Sequence, residues 1–365
     1  MRNAVLTVIF LSILKIAVFS AGLEFGYYSG SGLNCGVLSL QKDYYSSDLS
    51  FGAAINGNLS NKDISLESVV VKYLEYDDGT RGFRYAPLED MSFGFGLLLN
   101  DFNTSYYQPV FFKNEQCGLR VYYDFDSFTL EGMGTYSHLY GIRLKDISIY
   151  NMDIGIEYLS DSGLLSSESF GRSACGAYIE IPLTDEFSII GESAGTSNGG
   201  EGNMAGIAFD YDLIFAYSKI NVGAVSFNDR FIPGYFTSGY DLDPVDFSSL
   251  EAPGERRYGT FSKLNTGLLG FLAFNLINED YTDGGSATSG SFLLTPFERI
   301  NIIGFVKELS FCDFRPVKGE DSNMIGGTVE YKFKSISISL NYKKTLVEGS
   351  LKPLEATYFQ FGVNI

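Results

Sequence analysis

Residues Val329–Lys344 read VEYKFKSISISLNYKK. Every second residue is apolar: Val329, Tyr331 and Phe333, then Ile336, Ile338, Leu340 and Tyr342. Glu330, Lys332, Ser337, Ser339, Asn341 and Lys343 fall between them, and only Lys334 and Ser335 separate the two runs. Side chains of a strand alternate between the faces of a sheet. The stretch therefore predicts a tight hairpin with one apolar and one polar face.

The same period recurs along the chain. Leu49, Phe51, Ala53 and Ile55 alternate with small or polar residues, and Met91, Phe93, Phe95, Leu97 and Leu99 alternate with Ser92, Gly94, Gly96, Leu98 and Asn100. Leu119–Phe125, Tyr150–Tyr158 and Cys175–Ile181 repeat the pattern. Short connections are expected at Asp124–Ser127, Lys145–Asp146, Leu183–Glu186, Asp210–Asp212 and Lys334–Ser335. Longer ones are expected at Asn100–Gln116, Leu159–Ser169, Gly195–Gly202, Asn228–Arg257, Asn278–Gly290, Ser310–Asp321 and Lys344–Pro353. Short and long connections largely alternate, which is the mark of an up-and-down meander with a tight-turn rim and a loop rim.

Composition agrees with an all-β chain. The 365 residues include 41 glycines and 15% Tyr plus Phe, with no Trp, and only 19% are charged. Tyr and Phe favour strands, and glycine favours turns. No Pro/Ser linker, charge block or low-complexity tract divides the sequence. Arg2 followed by the apolar run Ala4–Leu14 has the form of a secretory signal peptide, with small residues for cleavage near Ser20–Gly22. The expected organisation is a signal peptide at 1–21 and one domain at 22–365. Removing the signal leaves 24 basic against 44 acidic residues, a net charge of −20. That balance disfavours nucleic acid as a partner. No other segment reaches the roughly 18 apolar residues of a membrane-spanning helix. The cysteines, Cys35, Cys117, Cys175 and Cys312, form no CxxC and match no common zinc spacing. Free, buried or membrane-facing thiols are the expectation, ahead of a Cys117–Cys312 bridge.

Alternating strands suit either a soluble sandwich or a transmembrane barrel. Between 16 and 21 candidate strands exceed what one sandwich holds. Units of about 20 residues match a tilted spanning strand of about 10 residues plus its connection. Tyr27, Tyr28, Tyr122, Tyr123, Tyr158, Tyr331 and Tyr342 lie near strand ends, as an interfacial girdle requires. A spanning sheet must close, because lipid cannot satisfy an open edge. The expectation is a single antiparallel barrel of about 16–18 strands, with short periplasmic turns and longer extracellular loops. Strand phasing between Gly22 and Asn56 is the weakest part of that pattern.

The last nine residues, TYFQFGVNI, place Phe359, Phe361, Val363 and Ile365 on one face at the end of the chain. This resembles the C-terminal strand signal of bacterial outer-membrane β-barrels of the porin-like class. Two positions depart from that pattern: Ile365 stands where Phe or Trp is usual, and Gln360 where glycine is expected. The resemblance implies export to the outer membrane, lipid contact and recognition by barrel-assembly machinery. It admits a homo-oligomer.

Little enzymatic chemistry is visible. The one histidine, His138, follows Ser137, so in a strand the two point to opposite faces, which disfavours a barrel hydrolase. No phosphate loop, EF-hand or GxSxG occurs, and no cofactor is implied. The remaining constellation is the lumen. Alternation predicts Arg120, Asp124, Glu131, Asp153, Glu157, Arg172, Glu180, Glu192, Glu330, Lys332 and Lys343 inside. Charged rings of this kind select ions in aqueous pores. The long connection Asn228–Arg257 carries Asp241, Asp243, Asp246, Glu251, Glu255, Arg256 and Arg257. It either folds into the lumen as a constriction or lies on the rim. The leading expectation is a passive channel for small solutes or ions with weak cation preference. The alternative is a structural or interaction barrel that presents loops and conducts little.

Overall fold

A computed structural model of the chain describes residues 18–364 apart from 31–32, 47, 59–68, 89–90, 101, 103, 105–116, 136–138, 162–171, 229, 232–255, 283–285, 309–321 and 348–353. Strands β1 (Val18–Gly30), β2 (Leu33–Tyr45), β3 (Leu49–Asn58), β4 (Val69–Asp77) and β5 (Arg81–Pro87) open the chain. Next come β6 (Cys117–Phe125), β7 (Phe128–Thr135), β8 (Leu139–Ile149), β9 (Met152–Asp161) and β10 (Arg172–Pro182). Then follow β11 (Phe187–Thr196), β12 (Glu201–Leu213), β13 (Ala216–Phe227), β14 (Arg257–Leu268) and β15 (Leu272–Tyr281). The last are β16 (Ser286–Phe297), β17 (Ile300–Glu308), β18 (Ser322–Phe333), β19 (Ile336–Val347) and β20 (Leu354–Asn364). No helix occurs among the described residues.

Each strand pairs antiparallel with its sequence neighbours, and β1 pairs with β20 over Gly22–Gly30 against Ala356–Asn364. The sheet is therefore a closed, up-and-down barrel. Its described residues form 20 strands rather than 16–18. The undercount lay in the N-terminal stretch of uncertain phase, where β1 and β2 are joined by only residues 31–32. The first strand begins at Val18, within the stretch expected to form the signal peptide; among the described residues, Val18–Ala21 pair with β2 alone.

Three further expectations are corrected. Met91–Leu99 is not a strand but part of the β5–β6 connection; its alternation reflects packing on several walls of the lumen rather than a pleat. Lys145–Asp146 is not a turn. It is a bulge in β8, with a register shift between Leu144 and Ile147 and Asp146 at φ 60°. The real turn is Tyr150–Asn151, both at positive φ as a two-residue hairpin of the I′ type demands. Asp210–Asp212 lies within β12, which continues to Leu213. Elsewhere turn chemistry is readable. Asp78 in the β4–β5 turn accepts hydrogen bonds from the backbone of Arg81 and Thr80 and from the Tyr76 hydroxyl. Those donors hold its carboxyl well below the usual carboxylate range.

Register sorts the two faces. Val329 opposes Leu340, Tyr331 opposes Ile338 and Phe333 opposes Ile336. All six are 36–50% exposed, so no other described part of the chain covers this face. The belt crosses the closure: Leu23, Phe25 and Tyr27 oppose Val363, Phe361 and Phe359. It continues through Leu119, Val121, Ile142, Ile156, Ile189, Ile207, Val222 and Phe292. A belt encircling the molecule far exceeds the apolar patches of soluble monomers and fits lipid as its solvent. Phe359, Phe361 and Val363 occupy this outer face; Ile365 lies outside the described residues. The exposed Cys175 thiol shares the outer face, whereas the Cys117 thiol is buried and donates to the Val71 carbonyl.

The buried apolar cluster lies inside the barrel. Met133, Leu139, Leu159, Ala174, Ala194, Met204, Val225, Phe227 and Tyr281, from β7 to β15, pack with Leu88–Phe102 and Phe231. All nine wall residues lie toward the loop-rim ends of their strands.

Two outcomes test this arrangement. Ile338→Arg near mid-membrane is expected to cost roughly 2–4 kcal/mol in folding titrations, and Ser337→Arg on the inner face much less. Deleting Thr357–Ile365 removes most of β20 and opens the ladder, so heat-modifiable, membrane-inserted protein should disappear. A truncated chain that stays folded and soluble would contradict the barrel.

Candidate functional site

The β5–β6 connection is stapled to itself before it is stapled to the wall. Thr104 N–H donates to Leu88 O, Met91 and Phe102 exchange backbone hydrogen bonds, and Phe93 N–H donates to Leu99 O. These bonds make a small closed loop whose apolar side chains point in several directions. Leu88, Met91, Phe93, Leu97, Leu98, Leu99 and Phe102 are all buried. Removing that much apolar surface from water holds the loop in the lumen.

Charged groups on the wall fix its tip. Glu192, on β11, accepts the backbone N–H of Phe95 at 2.7 Å and of Leu97 at 3.0 Å. Gly94, just before Phe95, and Gly96, between Phe95 and Leu97, sit at φ 55° and 105°. A Cβ at Gly94 would also lie 2.9 Å from the Glu192 carboxylate. Only glycine permits both that backbone and that approach. Arg143, on β8, donates to the Ser92 carbonyl at 2.8 Å, and its guanidinium lies 4.8 Å from the Phe93 ring centre. The same arginine pairs with Glu131 at 2.8 Å, and Glu131 also pairs with Arg120 at 2.6 Å. Glu131 is fully buried, so these two guanidiniums supply the compensation that a buried carboxylate requires. Glu157, on β9, is buried and reaches across Gly176, where a Cβ would meet its Oε1 at 2.7 Å. Phe95 packs edge-on against Tyr178, and Lys263 reaches Asn100 at 3.4 Å.

The charges below this layer stay wet. Glu75, Asp77, Arg84, Arg120, Tyr122, Asp124 and Lys145 line a cavity of about 450 Å³ toward the short-turn rim. Beyond β15, the inner-face residues Leu293 and Ile303 oppose each other and are 38% and 39% exposed. The loop is thus fastened to the β7–β15 wall, while inner-face residues of the adjoining strands β16 and β17 remain open to solvent.

Each residue expected in the lumen can now be placed. The ladder puts Arg120, Asp124, Glu131, Asp153, Glu157, Arg172, Glu180, Glu192, Glu330 and Lys332 on the inner face, and gives Lys343 the inner-face position opposite Gly326. Glu131, Glu157, Arg172 and Glu192 are buried rather than lining free space. Glu330 pairs with Lys332 at 3.0 Å. Of the β13–β14 connection, Phe231 is buried in the apolar cluster and Arg256 pairs with Glu201 at 3.6 Å. Asp241, Asp243, Asp246, Glu251 and Glu255 lie outside the described residues, as do Ser137 and His138; Arg257 begins β14 opposite Phe227. Arg143 escaped the sequence reading, although Gly141, Ile142, Arg143 and Leu144 keep strict alternation; the bulge beyond them hid the strand. Among the described residues no group of three His, Cys, Asp or Glu side chains is placed to hold a metal ion.

No protein-family model and no curated protein matches the chain. Its fold is similar to crystal structures of outer-membrane proteins from Pseudomonas. OccK11 (OpdR) of Pseudomonas aeruginosa aligns over 96% of both chains at 8% identity and a TM-score of 0.46. A BenF-like porin from Pseudomonas fluorescens Pf-5 aligns over 96% of this chain and 99% of its own, at 8% identity and 0.45. OccK2 (OpdF) of Pseudomonas aeruginosa, solved with glucuronate, aligns over 96% and 98%, at 8% identity and 0.46.

Glu192→Ala tests the staple. It strips the acceptor from two buried N–H groups, each worth about 1–3 kcal/mol when left unsatisfied. Amide exchange over Phe93–Leu99 should accelerate markedly while the barrel stays heat-modifiable. Unchanged protection would mean that apolar packing alone seats the loop.

Proposed function

We propose that the chain is an exported outer-membrane barrel that passes small solutes or ions by passive diffusion. The observation that carries this reading is the asymmetry of the lumen. One arc of the wall, from β7 to β15, is covered by the Leu88–Thr104 loop, and mid-strand inner-face residues of the adjoining β16 and β17 remain solvated. A barrel of this strand number is too wide for its own side chains to fill. The inserted loop narrows the passage without occupying the whole section. Residues 1–21 act as the removable export signal, the C-terminal strand is the segment that barrel-assembly machinery recognises, and the exposed belt contacts lipid. No cofactor or covalent chemistry enters.

Selectivity follows from charge. Apart from the residues that seat the loop, Glu75, Asp77, Asp124, Asp153, Glu180, Asp210, Asp212 and Glu330 share inner-face positions with Arg84, Arg120, Lys145, Lys219, Lys332 and Lys343. Acids outnumber bases there, and an anionic passage concentrates cations. The preference should sharpen at low salt, where the screening length is about 30 Å at 0.01 M against about 10 Å at 0.1 M.

Purified protein in a planar bilayer is expected to conduct in KCl, with a reversal potential that favours potassium. Replacing Met91–Phe102 by a short Gly/Ser link should raise the conductance. Selectivity for chloride would overturn the charge argument. Absence of conductance in both proteins would favour a structural barrel that presents its loops.

A further inference from the structure

The short-turn rim is divided by polarity. The described turn residues between β2 and β3 are Ser46 and Asp48; those of the β4–β5, β6–β7 and β18–β19 turns are Asp78–Gly79–Thr80, Asp126–Ser127 and Lys334–Ser335. These are the residue types expected where a turn meets water. The β8–β9 and β10–β11 turns are mixed, with Tyr150 at 95% and Leu183 at 55% exposed beside Asn151 and Thr184–Glu186. The next two turns carry no polar side chain, and the third, Glu298–Arg299, is charged but follows an exposed phenylalanine. Ile214 and Phe215 form the first, with Ile214 fully exposed and Phe215 at 55%. Leu269, Gly270 and Phe271 form the second, with Leu269 at 62%. Phe297, just before the third, is 68% exposed.

These side chains form one strip, because the turns are hydrogen-bonded to each other. Leu269 N–H donates to the Phe215 carbonyl and Thr295 N–H to the Phe271 carbonyl, both at 2.6 Å. Leu269 also occupies φ 53°, where a turn favours Asn or Gly. An exposed leucine in a left-handed turn is unfavourable twice over in water. The strip runs without a break into the outer belt, through Leu213, Tyr211 and Phe209 on β12 and Leu268 on β14. Glu298 and Arg299 follow Phe297 and mark its edge.

We propose that the β12–β17 turns are immersed in the bilayer, at the boundary between headgroups and acyl chains, so that the barrel sits tilted with this side of its short-turn rim deeper than the rest. Continuity with the belt selects lipid as the occupant. A soluble partner would require a patch set off from the membrane, and no polar ring separates these turns from the lipid-facing strands. The inference rests on the membrane-spanning reading, and its test separates the two.

The chain has no tryptophan, so single substitutions report without background. Ile214→Trp, Phe297→Trp, Ser335→Trp and Leu340→Trp are reconstituted in phosphatidylcholine vesicles with plain or brominated acyl chains and exposed to iodide. Leu340→Trp, on the belt, should lose most of its emission to brominated lipid. Ile214→Trp and Phe297→Trp should do the same and resist iodide, while Ser335→Trp should be red-shifted and quenched by iodide. Ile214→Trp and Phe297→Trp as open to iodide as Ser335→Trp would overturn the proposal and leave the barrel intact. Shielding from iodide without quenching by brominated lipid, growing with protein density, would overturn it in favour of a second copy. A Leu340→Trp insensitive to brominated lipid would instead defeat the membrane-spanning reading itself.

Discussion

Everything in this molecule depends on the ladder between β1 and β20. Nine residues on each strand pair, from Gly22 with Asn364 to Gly30 with Ala356. A sheet in hydrocarbon has no water to satisfy its edge, and each unpaired backbone group there costs several kcal/mol. Without this ladder, the two edge strands would expose full rows of N–H and C=O groups. With it, the outer face can be apolar throughout and the polar groups of 20 strands are retained inside. The closure also explains why the two ends of the chain are composed alike. Leu23, Phe25 and Tyr27 must match Val363, Phe361 and Phe359 across a seam that lipid covers.

Closure at this strand number creates a second physical problem. A wide barrel has no interior core unless something enters it. The Leu88–Thr104 loop supplies one, and its composition follows from that task. It carries no charge between Met91 and Asn100, so it brings no ion into the apolar layer. Its backbone polar groups are met by itself, by Arg143 and by Glu192. Of the buried wall carboxylates, Glu131 is paired with two arginines and Glu192 with two N–H groups of the loop, while both oxygens of Glu157 have no hydrogen-bond partner among the described residues. Packing and electrostatics thus point the same way: along β7–β15 the lumen is apolar and filled toward the loop rim, and toward the short turns it is charged and wet.

The strand Val329–Phe333 and its partner Ile336–Tyr342 were legible from the sequence because period two is a local property. A side chain's face follows from its position in the strand whatever the rest of the chain does. The same local rule placed the inner-face charges from Arg120 to Lys343, the outer-face residues of the last strand, and the single-barrel class. It also required that the sheet close, though it did not fix the number of strands.

Local rules failed where the outcome depended on distant residues. Met91–Leu97 alternates like a strand, yet it has no neighbouring strand to pair with and buries its side chains on walls far away in sequence, and Leu98 breaks the period. The link from Glu192 to Phe95 spans 97 residues, and no spacing rule connects them. The bulge at Lys145–Asp146 looked like a turn because turns and bulges favour the same residues. Which acids line free space and which are buried was likewise decided by the inserted loop. Sequence by itself determined the faces of the strands and the class of solvent each meets. Only the tertiary structure decided how many strands close the ring and which segment fills it, because both depend on contacts between residues that are remote along the chain.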